Sequence, residues 1–147
     1  MPLPRISESV SAPPPERINI HYNQLREAGD KILKKEISPE EFLTTLDRIY
    51  TVITERLNEI ESMEITDDVR PSLEEQLNLG ISGIHYFLQG IDEMRLYLED
   101  SNPEHVNVGM ESIFQGNENL NNALEMARDN IRKLKDMGVD SQFNTID

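Results

Sequence analysis

The sequence predicts an all-α fold: an antiparallel, up-down-up-down four-helix bundle with long amphipathic helices. Three observations carry that prediction. Apolar residues recur in steps of three and four through four separate segments, which puts them on one face of each helix. Short links rich in Ser, Pro, Asp and Asn separate those segments. No stretch alternates apolar and polar residues for more than a few positions, so no sheet is expected and the helices must pack on one another.

Residues 1–15 hold five of the eight prolines. Each proline removes a backbone donor and disfavours helix in the residue before it, so a disordered Pro-rich tail is expected here. It lacks the P-x-x-P with a flanking base that would mark a docking peptide. A single helical-bundle domain is then expected over 16–138, with a C-terminal tail over 139–147. The first helix is placed at 16–35, where Ile18, Tyr22, Leu25, Gly29 and Ile32 share a face. Lys31, Lys34 and Lys35 close it, where positive charge suits the helix dipole.

Ser38-Pro39-Glu40-Glu41 then reads as a helix start: serine as cap, proline at the first helical position, Glu41 completing a capping box. The second helix follows over 39–63. Its expected buried face is Phe42, Leu43, Leu46, Ile49, Tyr50, Ile53, Leu57 and Ile60. A link with Thr66, Asp67 or Asp68 as cap leads into the most regular part of the chain. This is a helical hairpin over 71–137, broken only at Glu99-Asp100-Ser101-Asn102-Pro103.

The hairpin arms carry matching apolar rows. The first is Leu73, Leu77, Gly80, Ile84, Phe87, Ile91, Met94 and Leu98. The second is Val106, Met110, Ile113, Asn117, Leu120, Leu124, Ala127, Ile131 and Leu134. Their heptad register is that of a coiled-coil seam, in which a lone Asn117 fixes register or partner number. Beside the rows run small residues seven apart: Gly83 and Gly90, then Gly109, Gly116 and Ala123. A mid-helix glycine costs about 0.8–1 kcal/mol relative to alanine, so four need a compensating reason. Close approach of two backbones supplies one, and the four glycines with Asn117 are read as a close-packing seam. The alternative is a groove or hinge. Gly138 ends the last helix, and Phe143 beyond it is expected against the bundle end. The topology also makes a prediction: the lysines ending the first helix should lie near Glu99, Asp100 and Glu104.

Composition narrows the function. The chain has 28 acidic and 14 basic side chains, a formal net charge of -14. Such a surface repels phosphate backbones, so neither nucleic acid nor an anionic membrane is expected as a partner. It could face a basic partner, or simply keep the protein soluble. There is no cysteine, hence no disulfide and no thiolate chemistry, which fits a reducing compartment. No apolar run is long enough to cross a membrane, and Met1-Pro2-Leu3-Pro4-Arg5 lacks the apolar centre of a signal peptide. A cytoplasmic location is expected.

Catalytic and metal signatures are missing from the pattern. The histidines are His21, His85 and His105, and none completes the Glu-x-x-His of a di-iron bundle. No nucleophile elbow or phosphate loop is present. Neither metal nor cofactor is expected. One strip stands out: His85, Tyr86, Arg95 and Tyr97, a polar-aromatic set that could hold a helix or peptide or could simply edge the core. The leading expectation is a non-enzymatic protein acting by protein–protein contact, as an adaptor or a self-associating unit. It would be a homodimer if Asn117 met its symmetry mate. The alternatives are a chaperone-like holder of a helical partner segment beside the glycine lines, and a small-ligand binder or carboxylate-based enzyme.

Overall fold

The protein is seen in a computed structural model. It describes the backbone of residues 13–136 and the side chains of 19–130, residue 72 excepted, and of 132. Residues 1–12 of the tail expected over 1–15, the helix stop at Gly138, the tail over 139–147 and Phe143 lie outside the described residues. Four helices follow in order: α1 (Pro13–Leu33), α2 (Pro39–Glu61), α3 (Arg70–Asp100) and α4 (Pro103–Asp136). No strand occurs among the described residues, and no described helix is long and apolar enough to cross a membrane. α3 lies along α4, α1 against α4, α2 against α3, and α1 against α2. That ring of neighbours joined by short links is the antiparallel up-down-up-down bundle.

The helix ends follow local chemistry. α1 begins at Pro13, three residues before the expected Glu16. Pro13, Pro14 and Pro15 fit there because first-turn amides have no intrahelical acceptor to lose. Its end is tied by Lys35 N–H to the Ile32 carbonyl at 3.1 Å and Glu36 N–H to that of Lys31 at 2.8 Å. This pairing is a Schellman turn, and it puts Lys35 at φ 61°, where glycine usually sits. Lys35→Gly is therefore expected to stabilise the protein by about 0.5–1 kcal/mol, read from urea unfolding.

α2 opens with the capping box in place. Ser38 Oγ accepts from the Glu41 amide at 3.1 Å and Glu41 Oε1 accepts from the Ser38 amide at 3.0 Å. At α3 the cap position falls to Val69, not to Thr66, Asp67 or Asp68. There the Thr66 carbonyl takes the amides of Val69 and Arg70 at 3.2 and 3.0 Å. The elbow turns on Ser101 at φ 60°, and Asn102 Oδ1 accepts from the Glu104 amide at 3.1 Å to start α4.

The core joins Leu25, Ala28 and Ile32 of α1 to Phe42, Leu46, Ile49 and Ile53 of α2, with Ile84, Phe87, Ile91, Met94, Val106 and Ile113 from the hairpin. Leu43 was expected inside but is 38% exposed, on the outer flank of α2. Gly29 of α1 faces Val106 of α4 and Met94 of α3. The end of α1 thus lies at the elbow end, as the topology requires. The ion pair Lys31 makes there is with Glu27 of its own helix, at 3.6 Å.

The glycines lie where α3 and α4 meet. A Cβ added at Gly90 would stand 2.5 Å from the Gly109 carbonyl oxygen, and one at Gly109 2.6 Å from that of Gly90. Gly83 and Gly116 repeat the relation at 2.9 and 2.6 Å. A core side chain from the opposite helix covers each glycine: Ile113 over Gly90, Met94 over Gly109, Phe87 over Gly116, Leu120 over Gly83. No groove opens along this line, because backbone fills it.

Candidate functional site

The seam loosens toward the end of the bundle opposite the elbow. At Gly80 the nearest atom to an added Cβ is the Ala123 methyl at 3.7 Å, and no carbonyl stands within 4 Å. Small residues continue at Ala127, so here α3 and α4 leave volume unfilled. The result is a partly open cleft of about 340 Å³ between all four helices. Ile53 and Ile60 of α2, Leu77 and Ile84 of α3, and Leu120 and Leu124 of α4 give it an apolar wall. Phe87, fully buried, forms its floor. His21, Arg56, Glu59 and Gln76 supply the polar groups of its lining. Gln76 Oε1 accepts from Asn130 Nδ2 at 2.8 Å, which ties α3 to α4 there.

A second, more polar depression of about 260 Å³ adjoins it and shares Ile60, Met63 and Leu77 with the cleft. Met63 belongs to both linings and is 54% exposed. Glu61, Arg70 and Glu74 border this second hollow. The Arg70 guanidinium donates to the Ile65 carbonyl at 3.3 Å, holding the α2–α3 link against the helix.

Beside the cleft a polar layer joins α1 to α4. Asn19 Oδ1 accepts from Asn117 Nδ2 at 3.0 Å and from Asn121 Nδ2 at 3.3 Å. Asn117, 5% exposed, thus has a hydrogen-bond partner within its own chain. Its Oδ1 is buried without a hydrogen-bond partner, a loss worth about 1–3 kcal/mol. Asn117→Leu is accordingly expected to raise stability by about 1 kcal/mol. It should leave the solution mass unchanged by light scattering; a change of oligomeric state would contradict the intrachain pairing.

Two histidines sit at opposite ends in opposite settings. His21, half-buried beside the cleft, is held below its ordinary value of 6.5 chiefly by burial. The Arg56 and Arg48 guanidiniums act in the same direction and the Gln24 side chain against it. His105 lies between two carboxylates at the elbow, Nδ1 2.8 Å from Glu93 Oε2 and Nε2 3.0 Å from Asp100 Oδ2. A neutral imidazole has one N–H and cannot donate to both, so this geometry is that of the imidazolium. His105 is raised above 6.5, first by Glu93 and then by Asp100. Asp100 is lowered, first by the Asn102 amide and then by His105.

The signs give a pH prediction. A raised histidine contributes stability below its unfolded value and loses it as pH rises through its folded value. A lowered one favours the neutral form, so its contribution is lost as pH falls from 6.5 toward its folded value. Between about pH 8 and about pH 5, amide exchange corrected for intrinsic rate should slow around the elbow and quicken around His21. A uniform change at both ends would contradict it.

The polar-aromatic strip does not converge. His85 and Tyr86 are exposed on the outer side of α3. Arg95, ten residues after His85 and two before Tyr97, is taken up elsewhere. Its Nη2 donates to Asp47 of α2 at 2.6 Å, its Nη1 to Asp92 at 2.8 Å, and it lies 4.8 Å from the Tyr50 ring centre. Tyr97 is half-buried, edge-on to Phe42 with centroids 6.5 Å apart. His85 and Tyr97 are separated by roughly 18 Å of helix. Arg95 thus ties α3 to α2, and Tyr97 closes the core near the elbow.

The cleft itself was not anticipated. Its signal was Gly80, a residue without a side chain in an apolar row, together with Ala123 and Ala127 on the other arm. Among the described residues no group of three side chains could hold a metal ion. Comparison with known protein families, with curated proteins and with solved structures finds no match for this chain.

Proposed function

We propose that the protein is a non-enzymatic helical module that works by protein–protein contact, receiving apolar side chains of a partner in the cleft at its open end. The observation that carries this reading is the cleft: about 340 Å³, walled by apolar side chains of α2, α3 and α4. Unfilled apolar volume bordered by polar groups is where a partner's anchor residues gain most from burial. This is the chaperone-like form of the reading, with its seat moved from the glycine lines to the bundle end.

Photo-crosslinking tests it. Benzoylphenylalanine placed at Met63 should give a discrete adduct with another protein in cells of the source organism, and the same group at Glu104 should give none. Absence of an adduct from position 63, or equal yields from both positions, would contradict the proposal.

A second reading has the cleft's size in its favour. Small-ligand pockets run from about 300 to 1,000 Å³, so a small apolar ligand would fit. A metabolite screen by thermal shift discriminates: a ligand at 100 times its Kd stabilises by about 2.7 kcal/mol.

A further inference from the structure

We infer that the occupant of the cleft is a basic amphipathic segment of another protein, with two bulky apolar anchors and lysine or arginine flanks. This rests on the reading that the cleft receives a partner, and it specifies that partner's chemistry. The first ground is shape. The cleft and the depression beside it share Ile60, Met63 and Leu77, so two seats adjoin in one trough. An amphipathic helix presents bulky residues at i and i+3 or i+4, about 5–6 Å apart, which suits adjoining seats. Met63, exposed and unbranched, can adapt to either anchor.

The second ground is charge. Glu59, Glu61 and Glu74 line the trough, and none takes part in an ion pair among the described residues. Glu64, Asp67 and Asp68 stand exposed in the connecting link. Against them are Arg56, three residues before Glu59 on α2, and Arg70, whose guanidinium donates to the Ile65 carbonyl. The net charge of -14 extends the same sign over the whole molecule. That field draws a cationic segment in and repels an anionic one. A second copy of this chain carries the same net charge and is disfavoured as the occupant for that reason.

The test uses the full chain and three fluorescent synthetic helices that share one leucine face and carry lysine, glutamine or glutamate elsewhere. Binding is read by anisotropy. The lysine peptide should bind one to one, at least about tenfold more tightly than the glutamine peptide, and the glutamate peptide should not bind. Glu61→Lys with Glu74→Lys should weaken the lysine peptide about tenfold. Met63→Asp separates anchoring from simple attraction, because it adds negative charge while removing apolar surface. Met63 is exposed, so the fold should survive, as circular dichroism would show. Weakening of the lysine peptide by about tenfold supports the inference. If the glutamine peptide binds as tightly as the lysine peptide, the inference falls and the cleft reading stands. If no peptide binds, or Met63→Asp binds the lysine peptide as well or better, both fall.

Discussion

Gly90→Ala should destabilise the protein by about 2–3 kcal/mol, against the direction set by helix propensity. Propensity alone would have alanine gain about 1 kcal/mol at a mid-helix position. Its Cβ, however, would stand 2.5 Å from both the Gly109 carbonyl oxygen and Ile113 Cγ1. The carbonyl belongs to a helix held along its whole length and cannot step aside, so α3 and α4 must separate. Gly80→Ala is the matched control. There the nearest atom is a methyl at 3.7 Å, an ordinary contact, and the propensity gain of about 0.5–1 kcal/mol should appear in full. Urea unfolding of the two variants reads the signs directly. If both variants stabilise, the backbones do not meet at Gly90 as described.

Phe87→Ala should cost about 3–5 kcal/mol, the usual loss for a fully buried aromatic. Phe87 is 0% exposed. It packs over Gly116 on one side, where its Cδ2 lies 3.0 Å from an added Cβ, and floors the cleft on the other. Neither the glycine seam nor the cleft wall can collapse into the vacated space without breaking the α3–α4 register. Phe114 provides the contrast. It is 50% exposed, with Tyr22 as an edge-on neighbour at 6.1 Å, and Phe114→Ala should cost about 1 kcal/mol or less. Equal losses at the two positions would mean the core is not centred where the structure puts it.

What was legible in the sequence was whatever depends on near neighbours. The steps of three and four located four helices, because period alone places a residue on a face. The Ser38–Glu41 box was readable to the residue, since both of its bonds span three positions. What failed needed distances between elements. Arg95 could be placed in the polar-aromatic strip, but its tie to Asp47, forty-eight residues away, could not be read. Asn117 stood out as a lone polar residue in the seam, but its partner Asn19, ninety-eight residues away, is not visible in the sequence. The imidazolium bridge at His105 depends on the hairpin register that sets Glu93 opposite it. The cleft was hardest to read, because it is made by side chains that are missing: Gly80 and Ala123 are unremarkable singly and leave a hollow only when they face each other.

One hairpin thus combines two opposite packings. From the middle of the hairpin toward the elbow the glycines bring α3 and α4 into backbone contact, and toward the other end the same helices leave apolar volume open. The measurement that tests this most directly is methyl-resolved NMR of the full chain titrated with the lysine-bearing leucine peptide. The account predicts shifts at Met63, Leu77, Ile81 and Leu124 as the peptide saturates, with Val106 and Ile113 unmoved. Shifts centred on the outer face around Leu43 and Leu96, with the open end silent, would contradict it.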